Sequence, residues 1–196
     1  MRRGGQLIAG ILLAAGRSRR FGADKRRAAL EEAPLIVHAA CALQTALHDT
    51  LIVLGADDVT LEAELSSLGF SVTRAPDAAL GMGHSLAHGV AQRPDASGWL
   101  VALADMPAIR PDTIQTLADE LATPSSIVAP YYLGQRGHPV GFGRAYFAEL
   151  AALTGDVGAR PVLQAHANCV IRVDVDDAGV LVDVDTPGDL KRLSSG

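Results

Sequence analysis

The stretch that decides the fold is LIAGILLA, residues 7–14. Its side chains are apolar without alternation, a pattern typical of a strand that is buried on both faces of a parallel sheet. The sequence GRSRRFGADK follows at once, from Gly16 to Lys25. A buried strand that runs into a loop rich in glycine and basic residues favours an α/β domain. Ligands of such domains bind beyond the carboxyl ends of the strands.

Working outward, short apolar runs alternate with longer amphipathic ones. Strands are predicted at residues 50–54, 71–74, 99–103, 126–132, 135–142, 170–175 and 180–184. Helices are predicted at residues 34–47, 57–68, 81–90, 111–121, 146–153 and 161–167, and from Thr186 onward, and Asp57 or Asp58 can cap the second of them. This alternation predicts a parallel, doubly wound sheet, and a tight turn at Leu133-Gly134 predicts a small antiparallel part. Because neither a linker nor a repeat interrupts the pattern, residues 1–196 are predicted to form one domain.

Composition excludes several classes of protein. The chain has 17 Lys and Arg against 22 Asp and Glu, a formal net charge of -5, which argues against a nucleic-acid partner held by a basic face. Aromatic residues make up only 4%, too few for a platform that stacks bases. Cys41 and Cys169 lie far apart without a CxxC motif, which indicates reduced cysteines in a cytoplasmic protein.

The N-terminus imitates a secretory signal, because Met1-Arg2-Arg3 precedes the apolar run. Three arginines, Arg17, Arg19 and Arg20, follow that run where a signal peptide has small neutral residues. The run is also too short to span a bilayer. We therefore expect a cytoplasmic protein without a signal peptide or membrane attachment.

The loop after the first strand has the chemistry of a phosphate site. Its small residues let backbone N–H groups approach an oxyanion, and its positive charges are Arg17, Arg19, Arg20 and Lys25. Neither GxxxxGK[ST] nor GxGxxG is present, so the loop is neither a P-loop nor the dinucleotide fingerprint. A solvated basic loop without a ligand remains the alternative.

Acidic residues accompany two other predicted strands. The segment LADMP places Asp105 directly after residues 99–103, where a carboxylate can hold Mg²⁺ together with phosphate oxygens. The segment DVDTP contains Asp183 and Asp185, which would point to the same side of a strand and repel each other without a cation between them. In both segments the alternative is an acid that only caps the next element.

Three glycine-rich segments each carry a polar group. They are GMGHSL at residues 81–86, GHPV at residues 137–140 and GDVGAR at residues 155–160. Each is consistent with ligand contact, but turn chemistry explains most of the glycines.

Taken together, these segments resemble the MobA-like nucleotidyltransferases. The matching segments, in order over about residues 6–193, are LAAGRSRRFGADK, GMGHSL, LADMP, GHPV, GDVGAR and DVDTPGDL. Within the family the chain most resembles the molybdenum cofactor cytidylyltransferase (MocA-like) branch, because Ala14-Ala15 stands where GTP-using guanylyltransferases read LAGG. The resemblance implies a Rossmann-like three-layer α/β/α sandwich of the nucleotide-diphospho-sugar transferase type.

The resemblance also implies roles for individual residues. Nucleotide binding is implied for Leu13, Ala14, Ala15, Gly16, Arg17, Ser18, Arg20, Lys25, Gly83, Ser85 and Asp105. Among these, Arg20, Lys25 and Asp105 are the implied catalytic residues, with Arg20 and Lys25 stabilising the triphosphate and the departing pyrophosphate. Asp105 and Asp185 are the implied ligands of Mg²⁺. His138 and Arg160 match motifs on the acceptor side of the cleft.

The implied reaction moves CMP from CTP to a phosphate acceptor, either molybdopterin or the molybdenum cofactor, and releases pyrophosphate. One alternative is a nucleotidyltransferase that uses GTP, or that acts on a sugar phosphate or another small phosphate. A second is a glycosyltransferase that uses Asp183-Val184-Asp185 as a DxD metal motif. A third is a non-catalytic nucleotide-binding protein that serves a molybdenum hydroxylase or its accessory protein.

Two positions depart from the family pattern. Residues 26–33 replace the Leu and Pro that usually follow the lysine and lead to a Gly-Gly turn, and His84 stands where a small residue is common. Arg26 and Arg27 are expected to be ordinary surface charges whose replacement has little effect.

Overall fold

The computed structural model describes residues 7–16, 21 and 24–194. Its strands are β1 (Ile8–Leu13), β2 (Ala29–Leu30), β3 (Ala33–Pro34), β4 (Asp49–Gly55), β5 (Val72–Ala75), β6 (Gly98–Leu103), β7 (Ile127–Tyr132), β8 (Gln135–Arg136), β9 (Val140–Gly143) and β10 (Val170–Asp174). Its helices are α1 (Leu35–Ala46), α2 (Val59–Ser67), α3 (Met82–Ala91), α4 (Pro111–Glu120), α5 (Phe147–Ala151), α6 (Arg160–Ala165) and α7 (Pro187–Leu193). The predicted nucleotide-binding residues Arg17, Ser18 and Arg20 lie outside the described residues, as do Met1, Arg2 and Arg3.

Within these residues, eight strands form one sheet in the order β10-β7-β9-β6-β1-β4-β5, with β8 paired to β7. The central strand β1 is parallel to both of its neighbours, β4 and β6. The antiparallel part consists of β9, which lies between β6 and β7, and of the β7–β8 hairpin. A mostly parallel sheet with a small antiparallel part is therefore confirmed.

Helices cover both faces of this sheet because β1 is apolar on both sides. Leu12 packs in one hydrophobic cluster, and Ile11 packs in the other. Successive side chains of a strand point to opposite faces, so these clusters form two separate cores. Gly10 brings α1 close, since a Cβ there would lie 2.8 Å from the side chain of Leu43. The result is the predicted Rossmann-like α/β/α sandwich.

Two predicted strands are wrong, and the two segments concerned contact each other. Residues 135–142 are split into β8 and β9, and residues 180–184 form a 3₁₀ turn (Ala178–Leu181) followed by irregular chain. The backbone N–H of His138 donates to the Val180 carbonyl at 3.0 Å, and a Cβ on Gly137 would collide with that carbonyl. Val180 and Val184 are apolar because both are buried, with 0% exposure, and not because they pair in a sheet.

The last helix begins as the sequence predicts. Thr186 caps α7, its hydroxyl accepting from the Asp189 N–H, and the Asp189 carboxylate accepts from the Thr186 N–H at 2.7 Å. The same carboxylate accepts from the backbone N–H of Asp185 at 3.2 Å. This capping box fixes the chain direction immediately before α7, and so it orients Asp185.

The apolar run near the N-terminus forms β1, at the centre of the sheet. Among the described helices, none combines the length and the hydropathy that crossing a bilayer requires. Cys41 and Cys169 are both exposed and are not bridged.

Candidate active site

A cavity of about 830 Å³ opens at the carboxyl edge of the sheet. Its walls come mainly from the segments that follow β1, β4, β5 and β6, where doubly wound sheets bind ligands. The predicted nucleotide-binding residues that line it are Leu13, Ala14, Ala15, Gly16, Lys25, Ser85 and Asp105. Residues to which the sequence gave no binding role also line it, among them Arg26, Leu35, Gly55, Ala56, Asp57, Asp58, Ala78, Ala79, Leu80 and Asp156.

Lys25 joins the two acids that were predicted to bind metal. Its Nζ donates to Asp105 Oδ2 at 2.8 Å and to Asp185 Oδ1 at 2.9 Å. The Val184 N–H donates to the Asp105 carbonyl at 2.8 Å, which ties the segment before α7 to the end of β6. Three residues that are far apart in the sequence therefore meet at one point, and two of them, Lys25 and Asp105, line the cavity.

The charge on Lys25 is secured by these partners. Burial disfavours the ammonium form, but the hydrogen bonds and charges of Asp105 and Asp185 outweigh this effect and raise the pKa of Lys25 above its ordinary value. The side chain is 15% exposed. A fixed positive charge on a mostly buried side chain at the cavity is suited to phosphate oxygens, because a lower dielectric strengthens the attraction.

The residues present fit a divalent cation only in part. No group of three or more His, Cys, Asp or Glu side chains in the described ranges is arranged to hold a metal ion. Asp105 and Asp185 nevertheless converge on one ammonium group and offer hard carboxylate oxygens. Mg²⁺ at such sites commonly takes one or two carboxylates plus substrate phosphates. The pair therefore has the ligand chemistry for a divalent cation bound together with phosphates, and in this structure the Lys25 ammonium pairs with both acids.

The sequence predicts that Arg26 is an ordinary surface charge, and this prediction is wrong. Its side chain is 11% exposed and lines the cavity. Its Nη1 donates to the Ala14 carbonyl at 2.7 Å and to Asp58 at 2.6 Å. Its Nη2 donates to both Asp24 and Asp58. Its Nε donates to Asp24 at 2.8 Å. By contrast, Arg27 is 40% exposed and pairs with Glu64. The error arose because Asp58 is 32 residues away in the sequence.

The segment after β4 is the functional feature that the sequence reasoning missed. Asp57 and Asp58 were assigned only a capping role, yet the Asp58 carboxylate makes no capping hydrogen bond to α2. It accepts from Arg26 and from the backbone N–H of Gly55, the latter at 2.9 Å. The signal was present, since two acids follow a buried strand here just as Asp105 follows β6.

The remaining predicted residues do not all reach the cavity. Ser85 lines it, from the first turns of α3. Gly83 instead packs α3 against the loop at residues 154–155, where its N–H donates to the Gly155 carbonyl at 2.8 Å. Arg160 is exposed at the first residue of α6 and is not among the lining residues. Asp183 is exposed too, while Asp185 contacts Lys25.

His138 is largely buried between β8 and β9. Burial and the nearby charge of Arg136 lower its pKa, against the opposing effect of Asp105. The imidazole is therefore neutral at neutral pH. Its Nδ1 is buried, and none of the described residues gives it a hydrogen-bond partner.

The Asp24–Arg26–Asp58 network should make stability depend on acidity. Burial raises the pKa of Asp58, but hydrogen bonds from Arg26 outweigh this effect and hold the pKa below its ordinary 3.8. A carboxylate whose pKa is lowered by folding stabilises the folded protein at pH values above its ordinary pKa. This stabilisation is lost as the pH falls through the lower pKa of the folded state. The wild type should therefore have a higher Tm than Asp58→Asn at about pH 6. This difference in Tm should decrease between about pH 4 and pH 2. Thermal unfolding followed by circular dichroism measures it; a gap that does not change with pH would contradict the network.

The fold and the site geometry define a nucleotidyltransferase-like α/β protein. Residues 10–170 match the family model of the MobA-like NTP transferase domain, so the chain belongs to this family of nucleotidyltransferases. It is 32% identical to the purine catabolism protein PucB of Bacillus subtilis (strain 168), over 92% of each chain. It is 30% identical to the nicotine blue oxidoreductase of Paenarthrobacter nicotinovorans, over 95% of this chain and 96% of the relative.

A third relative matches a shorter part of the chain. It is 37% identical to a probable molybdenum cofactor guanylyltransferase of Chloroflexus aggregans (strain MD-66 / DSM 9485), over 57% of this chain and 52% of the relative. Among solved structures, Rv0371c of Mycobacterium tuberculosis H37Rv superposes with a TM-score of 0.84 at 29% identity, covering 96% of this chain and 98% of that one. The same protein in complex with manganese gives a TM-score of 0.80 at 28% identity, covering 96% and 98%. These structures confirm the Rossmann-like fold.

Proposed function

We propose that this protein transfers CMP from CTP to a phosphate acceptor, molybdopterin or the molybdenum cofactor, in a Mg²⁺-dependent reaction that releases pyrophosphate. The observation that carries the proposal is that Lys25 and Asp105 line the cavity together with Ala14, Ala15 and Gly16, while Asp185 contacts the same ammonium group. A cation beside two carboxylates, next to a loop of small residues, has the groups that a nucleoside triphosphate requires. The manganese complex of the mycobacterial relative supports the choice of a divalent metal.

Such a reaction needs positioning and charge neutralisation more than covalent chemistry. An acceptor phosphate oxygen attacks the α-phosphorus of CTP in line, the bond to the bridging oxygen breaks, and pyrophosphate leaves with that electron pair. When bound, Mg²⁺ would offset negative charge on the phosphates, and Asp105 and Asp185 are the residues that would hold it. Lys25 and Arg20 stabilise the charge that grows on the pyrophosphate.

The acceptor needs no general base if its phosphate is already ionised. We therefore assign no base, and we give His138 only a contact role on the acceptor side. His138 has this assignment through the GHPV motif, since it is not among the residues that line the cavity. Arg160 joins it in this assignment only through the GDVGAR motif, since its side chain lies on the exposed start of α6.

We predict that CTP is preferred to GTP and that Ala15→Gly weakens this preference. Ala15 lines the cavity, and its methyl group occupies space where the guanylyltransferase branch has glycine. Removing one methyl group from a pocket changes discrimination by about tenfold or more. A competition assay with both nucleotides gives the ratio of their kcat/KM values, which a general loss of folded protein leaves unchanged. GTP turnover by the wild type that equals or exceeds CTP turnover would contradict the prediction.

A guanylyltransferase is the second candidate, favoured by the 37% identity to the Chloroflexus protein. The same competition assay separates it from the first. A glycosyltransferase is less well supported, because a DxD metal motif needs both acids and Asp183 is exposed away from Lys25. A non-catalytic protein that serves a molybdenum hydroxylase would not need Lys25, Asp105 and Asp185 in one cluster.

A further inference from the structure

We propose that Arg26 is a positioning residue: it anchors the turn Lys25–Arg27 and thereby sets where Lys25 lies at the cavity, a placement on which turnover depends. The kinetic part of this inference rests on the proposed function; the structural part, the placement of Lys25, does not.

Arg26 first joins two described residues, Ala14 and Asp24, that flank the loop after β1. Its Nη1 donates to the carbonyl of Ala14, which precedes the loop, at 2.7 Å. Its Nε and backbone N–H donate to the carboxylate of Asp24, which follows the loop, at 2.8 and 3.1 Å. One guanidinium thus links both ends of the segment. Closing a loop before a ligand arrives reduces the ordering cost of binding.

The same guanidinium ties this loop to the neighbouring strand β4. Its two terminal nitrogens donate to the two oxygens of Asp58 at 2.6 and 2.7 Å, a bidentate pairing. Asp58 in turn accepts from the N–H of Gly55 at 2.9 Å, which fixes it to the end of β4. Burial opposes the charge on Arg26, but the hydrogen bonds to Asp58 and Asp24 outweigh it and raise the pKa of Arg26.

Lys25 and Arg26 are consecutive, yet they reach opposite neighbours of β1. The strand β1 lies between β4 and β6. Arg26 contacts Asp58 on the β4 side, whereas Lys25 contacts Asp105 on the β6 side. Both residues belong to one short 3₁₀ turn, Lys25–Arg27. Anchoring Arg26 on one side therefore sets the position from which Lys25 reaches the other.

Arg26 also neutralises acids that would oppose a triphosphate. Asp58 lines the cavity, and Asp24 shares its partner. Without the guanidinium, two partly buried carboxylates would lose their closest counter-charge, although Arg27 stays 3.9 Å from Asp24. Such a loss is costly, and the acids would repel an anionic ligand. Loss of Arg26 should therefore both displace Lys25 and weaken nucleotide binding.

A labelling experiment tests the structural part without any turnover. Lys25 and Lys191 are the lysines of the chain, and Lys191 is exposed on α7, so it serves as an internal reference. Trace acetylation with acetic anhydride, read by mass spectrometry, gives the reactivity of Lys25 relative to Lys191. We expect Lys25 to react slowly in the wild type and several-fold faster in Arg26→Gln. The matched control is Arg27→Gln, in the same turn, which should leave the ratio unchanged.

Kinetics test whether Arg26 acts through Lys25. We expect Arg26→Gln to lower kcat for pyrophosphate release by about 10- to 100-fold, because small misplacements of a catalytic group carry losses of this size. In a Lys25→Ala background the same change should cost little more, since the two residues act as a unit. Arg26→Lys should not restore the rate, because an ammonium group cannot pair with both carboxylates. Arg27→Gln should stay within about twofold of the wild type.

The outcomes separate the two proposals. A wild type without turnover contradicts the proposed function, while the labelling ratio still decides the placement of Lys25. Equal Lys25 reactivity in the wild type, Arg26→Gln and Asp58→Asn overturns the positioning role. Asp58→Asn keeps the side-chain shape and gives the answer if Arg26→Gln does not fold. Fully additive rate losses in the Lys25→Ala background would also overturn it.

Discussion

Replacing Asp105 with alanine is expected to lower turnover by about 10³-fold while leaving the fold intact. On the proposed mechanism its carboxylate holds the divalent cation, and a bound metal contributes several kcal/mol, where each 1.4 kcal/mol is about tenfold in rate. The fold should survive because the side chain contacts Lys25 at the cavity wall, whereas the backbone of Asp105 holds the Val184 N–H. Pyrophosphate release at saturating Mg²⁺ measures the loss, and circular dichroism checks the fold.

Asp183 provides the matched control for this variant. It is an acid of the same type in the neighbouring segment, but it is exposed and does not line the cavity. Asp183→Ala should retain close to full turnover. Near-normal pyrophosphate release by Asp105→Ala would mean that the metal assignment is wrong.

Removing Lys25 should have the second largest effect. The ammonium is expected to interact more strongly with the leaving pyrophosphate than with bound CTP, and interactions of this kind raise kcat. Loss of one such contact commonly costs about 10²- to 10³-fold in rate. Lys25→Ala should therefore lower kcat by this factor, and Arg20→Ala, in the same loop but outside the described residues, should do likewise. Steady-state kinetics at saturating CTP separates the change in kcat from any change in KM.

Arg27→Ala is the control for both replacements. It removes a positive charge from the same turn, but that charge is 40% exposed and pairs with Glu64, and exposed pairs contribute little. Equal rates for Lys25→Ala, Arg20→Ala and Arg27→Ala would show that the phosphate loop has been misplaced in the sequence.

The central strands could be predicted from sequence because their burial leaves a continuous apolar pattern. Both β1 and β6 are buried along most of their length, and each lies within a residue or two of its predicted position. The same apolar pattern wrongly predicted a strand at residues 180–184, where Val180 and Val184 are apolar for a different reason. Both side chains are buried. Val180 lies in a turn, and its carbonyl accepts a hydrogen bond from the N–H of His138, a long-range contact that no local pattern records.

Some residues of the candidate site could likewise be predicted from the sequence, and others could not. The acid at the end of β6 and the lysine after the basic loop could be located from their place beside buried strands. The role of Arg26 could not, because its charge is matched by Asp58 from another strand end, and sequence alone gives an arginine in a basic stretch no reason to be buried. The two acids after β4 were a usable signal that the capping interpretation obscured.

The most direct test of the central claim is the release of pyrophosphate by the wild-type protein with Mg²⁺, CTP and molybdopterin. GTP in place of CTP, omission of molybdopterin and the Asp105→Ala variant are the controls. The account predicts pyrophosphate release that depends on the acceptor and on Mg²⁺, is faster with CTP than with GTP, and is lost in Asp105→Ala. No release with either nucleotide in the presence of molybdopterin, or release that Asp105→Ala leaves unchanged, would contradict it.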